Sequence, residues 1–337
     1  MRPSLIPHLI CPQCKSLISF TGAMAENFNK GNKDVNQGTL PCLSGKHEYE
    51  IVRGVPVLVP PDMAEDQLQV ADTFDQKWGM VPDYGHDEAT RSFQREWYLQ
   101  RFGWKTIDKL RQFLGSKLKI LDAGCGLGRD VRMYALATVG TVFGVDISNG
   151  IFLAQEKIGR LGNVHFVMAD MTKLPFPDDY FDFIACDQAL HHTPDTRISF
   201  LELVRHIKPG GHIAVYVYGK KSVAREIADD LIRKHTTEMS HDGCVAFSEA
   251  CAKFGRDVSK LNLELQRDIY WNVFKCFWNE DYGFNTNVAI NLDWYRPKYA
   301  WRHTPEEVKG WCEEANLTIE HFDVCDSGIS VRGCKPQ

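Results

Sequence analysis

Three groups of residues in this 337-residue chain have types and spacings that could do chemistry. The first is Cys11-Pro12-Gln13-Cys14, joined later by Cys42 and His47. Two pairs of sulfur and nitrogen donors, separated by a polar loop over 27–39, are what a tetrahedral structural zinc site needs. A redox pair is the other use of C-x-x-C, but no βαβ pattern surrounds this one. Zinc is the favoured reading, with His47 the least regular ligand because its pair is spaced C-x-x-x-x-H. The second group is Asp122-Ala123-Gly124-Cys125-Gly126-Leu127-Gly128, glycines at alternate positions behind a carboxylate. The third is Asp187, His191 and His192, where an imidazole that titrates near neutrality could accept a proton.

The elements around these groups decide what they can reach. Lys119 to Leu121 reads as the end of a buried strand and Val131 to Leu136 as the start of a helix. The glycines therefore occupy a strand-to-helix turn, where open α/β sheets bind ligands. The spacing G-x-G-x-G differs from the dinucleotide fingerprint, and Asp122 would repel a pyrophosphate. It would suit a ligand with a cationic amino-acid end such as S-adenosylmethionine; a tight turn with no ligand is the plainer alternative. A second strand, Thr141 to Val145, ends in Asp146, placed to hold a ribose diol. A third, Val164 to Met168, leads into Asp170 and Met171, a carboxylate for an adenine amino group and an apolar face for the ring. Phe181 to Asp187 is a fourth strand and His212 to Tyr218 a fifth.

LDAGCGLGRD, GVDIS, MADMTKLPFPDDYFDFIACDQALHHTPD and LVRHIKPGGHIAVYV stand in this order between residues 120 and 220. In them the chain resembles the class I S-adenosylmethionine-dependent methyltransferases, in the branch of small-molecule, quinone-methylating enzymes. The resemblance implies an α/β fold: a doubly wound, mostly parallel, seven-stranded Rossmann-like sheet. It implies S-adenosyl-L-methionine as cofactor, its methionine end lined by Asp122, Gly124, Cys125 and Gly126. Asp146 and Ile147 would serve the ribose, Asp170 and Met171 the adenine, and Asp187 the cofactor edge facing the acceptor. Asp187, His191 and His192 follow the fourth strand at the position that faces the methyl group, so they are the expected catalytic residues. Strand-end carboxylates that cap the next helix are the structural alternative for the acids.

The remaining chain divides into three parts. Residues 1–60 look like the small zinc-ribbon module fused to or partnered with several methyltransferases, with Cys11, Cys14, Cys42 and His47 as its metal set. Residues 61–104 read as a linker and aromatic helices, with Phe74, Trp78, Trp97 and Tyr98 as lid candidates or as packing between modules. Residues 105–337 are the expected catalytic domain, with a helical insertion at about 222–290 that is either a substrate cap or a dimerisation surface. Beyond it Asp293, Tyr295, Arg296, Tyr299, Arg302 and His303 read as a loop able to clamp an anionic or polyhydroxylated substrate. Thr304, Pro305 and Glu307 form a capping box that opens a helix. Leu317 to Val324 and Ile329 to Cys334 close the sheet as an antiparallel pair.

Composition bounds the partners. With 44% hydrophobic and 25% charged residues, a net charge of −5 and a sequence pI near 6.2, the chain reads as an ordinary globular protein without a nucleic-acid-binding excess. No membrane span or signal peptide is legible, and a cytoplasmic location is the default expectation. The eleven cysteines are scattered, and Cys125, Cys186, Cys276 and Cys312 fall in apolar or motif segments as reduced structural residues. The expected function is methyl transfer to an oxygen, nitrogen or carbon of a small or medium-sized metabolite. An RNA base methyltransferase using the ribbon for RNA contact is one alternative. A non-catalytic cofactor-binding scaffold is the other.

Overall fold

The structure is a computed structural model that describes residues 1–20 and 34–337; most of the polar loop between the two Cys/His pairs lies outside the described residues. After a 3-10 turn at Pro3–His8, strands β1 (Gly38–Pro41), β2 (Glu48–Val52) and β3 (Val55–Val57) form an antiparallel meander. Three helices follow: α1 (Glu65–Met80), α2 (Glu88–Arg101) and α3 (Ile107–Leu114). Alternation then sets in with β4 (Lys119–Ala123), α4 (Arg129–Ala135), β5 (Thr141–Asp146), α5 (Gly150–Ile158) and β6 (Val164–Met168). It continues through β7 (Phe181–Asp187), α6 (Thr196–Arg205) and β8 (Ile207–Tyr218). Four helices intervene, α7 (Val223–Thr236), α8 (His241–Val258), α9 (Leu263–Asn272) and α10 (Phe284–Tyr295), before α11 (Pro305–Glu314), β9 (Thr318–Val324) and β10 (Gly328–Cys334).

Strands β4 to β7 are apolar almost without interruption because helices cover both faces of the sheet. Successive residues feed opposite cores: Leu121, Phe143, Val145 and Ile184 pack in one cluster, Ile120, Val142, Phe166 and Phe183 in the other. The strand order is β1-β2-β3-β6-β5-β4-β7-β8-β10-β9. From β4 the chain winds outward through β5 and β6, then returns to place β7 on the other side of β4. That reversal opens a crevice outside the carboxyl ends of the parallel strands.

Two expectations are corrected here. The predicted seven strands run from β6 to the β9 edge of a ten-stranded sheet whose other three strands are added at β6, since β3 runs parallel to β6, with Val57 opposite Met168 and Leu58 N–H donating to the Met168 carbonyl at 2.8 Å. The edge of β6 would otherwise present unpaired backbone groups to water, and the N-terminal meander covers it. Met1, Leu5 and Leu9 share an apolar cluster with Phe143 and Ile184, and the Arg2 guanidinium donates to the carbonyls of Gly162 and Val164, both at 3.0 Å. The sheet thus crosses the boundary drawn at residue 60.

The second correction concerns the stretch read as a loop around Asp293, whose first residues belong to α10. The asparagines of that helix turn inward: Asn291 Nδ2 donates to the Phe277 carbonyl at 3.0 Å and its Oδ1 accepts from Phe277 N–H at 2.8 Å. Asn287 does the same for the backbone of Asn279. The predicted capping box at the start of α11 forms, Thr304 Oγ1 accepting from Glu307 N–H at 3.2 Å and Glu307 accepting from Thr304 N–H at 2.6 Å. Among the described residues no helix is long and apolar enough to cross a membrane.

Candidate functional site

A cavity of about 550 Å³ lies against the carboxyl ends of β4 to β7, closed over by α1 and by the helices between β8 and α11. This is an ordinary size for a small-molecule site. Its floor is the glycine turn after β4. Gly124 has φ +79° and Gly126 φ +51°, backbone that side chains rarely adopt. A Cβ on Gly124 would stand 2.2 Å from the Ala189 methyl, and one on Gly126 2.9 Å from the Trp78 ring. The turn is bare because its neighbours approach the backbone directly.

Four carboxylates from four successive strand ends converge on this floor. Asp122 is 2% exposed, lines the cavity, and finds no hydrogen-bond donor among the described residues. Burial pushes its pKa well above the usual carboxylate range, and the nearby Asp130 adds to the effect. Asp146 accepts from Gly126 N–H at 2.7 Å, from Ser148 N–H at 2.8 Å and from Ser148 Oγ–H at 2.6 Å. Burial raises its pKa too, and those bonds offset part of the rise. Asp170 accepts from Thr172 N–H at 2.8 Å and from Gln67 of α1 at 3.1 Å. Cys125, Ile147 and Met171 line the same walls.

Asp187 is held differently. Its Oδ2 receives the Arg101 guanidinium in a buried contact and the Arg129 guanidinium at 2.9 Å; both Arg101 and Asp187 side chains are about 1% exposed. Arg129 is also tied to Asp130 and Gln94. The next residue, Gln188, has φ +61°, a strained turn that re-aims the chain after β7. Neither arginine was singled out from the sequence. The signal was present in principle: a cluster of buried acids demands buried cations, and Arg129 directly follows the glycine turn.

The two histidines separate in role. His191 is fully buried, stacks on Tyr218 with ring centres 3.6 Å apart, and has no partner for either ring nitrogen; it does not line the cavity. His192 does line it. Its Nδ1 lies 2.7 Å from the Tyr299 carbonyl, an acceptor that requires Nδ1 to carry the proton, so Nε2 keeps its lone pair. Burial lowers its pKa to about 4, against the opposing pull of that carbonyl and of Asp293.

Of the lid candidates, Phe74, Trp78 and Trp97 face the cavity, whereas Tyr98 is buried beneath it and accepts a hydrogen bond from Tyr134 at 2.8 Å. From the predicted clamp only Asp293 reaches the cavity, where it pairs with Lys77 at 2.6 Å. Arg296 is spent on Asp72, Arg302 on Glu226 and Asp230. Beyond Tyr218, at the end of β8, the cap side of the cavity is aromatic and basic: Tyr270, Trp271, Trp278 and Trp294, with Lys221, Arg225 and Lys275.

Away from the cavity, Cys11, Cys14, Cys42 and His47 bring their donor atoms within 4.8 Å of one another. Cys14 and Cys42 sulfurs are 3.8 Å apart, and His47 Nδ1 lies 3.4 Å from the Cys11 sulfur. Zinc–sulfur bonds of about 2.3 Å in a tetrahedron put sulfurs roughly 3.8 Å apart, so this donor set fits the ion. All eleven cysteines are free thiols in the structure.

Residues 121–215 match the methyltransferase domain family. A cycloartenol-C-24-methyltransferase of Arabidopsis thaliana is 32% identical over 158 residues, covering 41% of this chain and 46% of that protein. The ubiquinone/menaquinone biosynthesis C-methyltransferase of Vibrio vulnificus is 34% identical over 108 residues, 30% of this chain and 42% of that protein. The chain spans less than half the length of these curated relatives. A solved magnesium protoporphyrin IX methyltransferase from Synechocystis PCC 6803 aligns over 82% of this chain and all of its own, at 14% identity and a TM-score of 0.44.

Proposed function

We propose, from the match of residues 121–215 to the methyltransferase domain family, that the chain is a class I S-adenosylmethionine-dependent methyltransferase acting on a small or medium-sized metabolite. The observation that carries this reading is Asp122, a buried acid lining the cavity at the glycine turn with nothing to pair with. A cationic amino-acid group is the partner that would let it ionise. Asp122 with Gly124, Cys125 and Gly126 would hold the methionine end of S-adenosyl-L-methionine, Asp146 with Ile147 the ribose, Asp170 with Met171 the adenine. When bound, the cofactor supplies an electrophilic methyl on a sulfonium.

The chain's own part is alignment, exclusion of water and removal of one proton. α1 closes over the floor, with Trp78 against the glycine turn and Gln67 on Asp170. His192 is the base: its Nε2 is unprotonated above pH 4, and the Tyr299 carbonyl fixes the ring. His191, sealed behind Tyr218, acts as packing. Asp187, gripped by Arg101 and Arg129, positions the turn that carries His192. The names of both curated relatives specify methylation of carbon, which supports a carbon acceptor here as well. The Cys11, Cys14, Cys42 and His47 set would hold a structural zinc that fastens the N-terminal turn to the meander.

Calorimetry with S-adenosylhomocysteine tests the cofactor reading, and a labelled-methyl assay against fractionated cell extract, with product mass determined, tests the activity. A micromolar Kd and a +14 Da product are expected, as each added methyl replaces a hydrogen. No heat of binding overturns the assignment. Dialysis against a chelator should release one zinc and loosen residues 1–60; a metal-free preparation with an unchanged melting profile overturns the zinc reading.

A further inference from the structure

The cavity wall opposite the strand ends has one feature that the proposed methyl transfer does not use. Lys275 is 7% exposed and lines the cavity, yet no carboxylate or carbonyl among the described residues accepts a hydrogen bond from its ammonium. The other cations of this wall are committed: Arg225 to Asp229 at 2.9 Å, and Lys221 to the carbonyls of Asp326 and Ser327. Asp293, the nearest opposing charge on α10, is taken by Lys77. What Lys275 does have is the face of Trp294, 4.4 Å from the ammonium to the ring centre. Tyr218 lies against the same indole at 4.5 Å and extends the aromatic surface toward His192.

Two indole N–H groups of this wall, on Trp278 and Trp294, are likewise buried without an acceptor. A buried donor without a partner costs roughly 1–3 kcal/mol, and a buried unpaired ammonium more. A wall that collects such donors is complementary to a ligand that brings acceptors and negative charge. The aromatic rings between Lys275 and His192 call for a flat apolar body between that charge and the reacting atom.

Resting on the methyltransferase reading above, we propose that the acceptor is an aromatic carboxylate, its carboxylate on Lys275 and its ring against Tyr218 and Trp294. Lys275 sets specificity and His192 accepts the proton at the ring's other end. One lysine matches one anionic group, which argues for a monoanion over a phosphate ester.

Titration calorimetry with three matched probes tests this: 2-naphthoate, the neutral 2-naphthamide and the cationic 2-naphthylmethylamine, with and without saturating S-adenosylhomocysteine. The naphthoate should bind at least about tenfold tighter than the amide, the ratio that about 1.4 kcal/mol represents. Lys275→Met should erase that preference while S-adenosylhomocysteine binds as to the native chain, and Lys275→Arg should keep it. Equal affinity for acid and amide, no naphthoate binding at millimolar concentration, or a preference that survives Lys275→Met overturns the proposal. Inorganic phosphate competing better than naphthoate would also overturn it, in favour of a phosphate ester. Loss of S-adenosylhomocysteine binding with the naphthoate preference intact would instead remove the methyl-transfer reading alone.

Discussion

The two halves of the cavity manage charge in opposite ways. At the strand ends Asp146 and Asp170 are held within the fold by backbone N–H groups and by Gln67, and Asp187 is gripped through one oxygen by buried arginines, whereas Asp122 has no donor among the described residues. Across the cavity the segment between α9 and α10 presents Lys275 and the Trp278 indole N–H, and α10 the Trp294 indole N–H, with no acceptor among the described residues. The acidic half comes from regular strands whose ends are fixed by five parallel pairings, so its carboxylates are pre-organised. The cap half comes from an insertion and has its charge left open. A rigid half built for one constant ligand and an adaptable half built for a particular acceptor is the lesson of the contrast.

The largest test of that contrast is His192→Asn, which removes the base but keeps an N–H donor in the place of Nδ1 for the Tyr299 carbonyl. Turnover should fall by about 10² to 10⁴, with KM nearly unchanged. In the native chain the acid limb of kcat should lie near pH 4 and not near 6.5, because the ring loses activity only as pH falls through its lowered value. A limb near 6.5 would place the base elsewhere.

Arg101→Met leaves the buried Asp187 carboxylate with Arg129 as its one remaining cation among the described residues. Stability should drop by about 3 kcal/mol in a urea melt; a loss under roughly 1 kcal/mol would mean the pair contributes little. Asp146→Ala should weaken S-adenosylhomocysteine binding by about 2 kcal/mol, some thirtyfold, the worth of a charged hydrogen bond. Unchanged affinity would remove Asp146 from the ribose role.

Acid should act through the buried imidazoles. His192 and His303 are lowered to about 4 by burial, and His191 is lowered for the same reason. The unfolded chain binds those protons below about 6.5 and the folded chain does not, so stability rises with pH across the window from 4 to 6.5. On the order of 1–2 kcal/mol per ring should be lost between pH 7 and 5, read as a falling melting temperature. The smallest effect sharpens the comparison most: Lys275→Met should leave stability unchanged or raise it by up to about 1 kcal/mol, since it removes an unpaired buried ammonium. A marked loss would mean that Lys275 serves the fold.

The strand-end half was legible in the chain because its signals are local. An apolar run that breaks into glycines behind an acid, followed by acids at the ends of the next strands, is written in consecutive residues, and burial on both faces left those strands nothing but apolar side chains. The cap half was legible only as helices. Lys275 sits three residues beyond α9 in a stretch whose sequence gives no periodicity, and its place against Trp294 depends on how α8 and α10 pack. Arg101 escaped notice because the last residue of an amphipathic helix usually faces water. The inward turn of Asn287 and Asn291 was not legible either, since it depends on the backbone of Phe277 and Asn279 that the helix meets. The extension of the sheet by β3 was invisible because a three-residue strand is defined by its partner's free edge.

By itself the amino-acid order determined the alternating α/β scaffold, the bare turn after β4, the acids beyond each strand and the four Cys/His donors, for each is a matter of near neighbours and of period. Only the tertiary structure decided which of two adjacent histidines faces the cavity, which carboxylates are already paired, that the N-terminal strands complete the sheet, and that a lysine from the insertion stands unpaired opposite them. Those are contacts between segments far apart in the chain, and close packing with the pairing of buried charge settles them, neither of which is written in a local pattern.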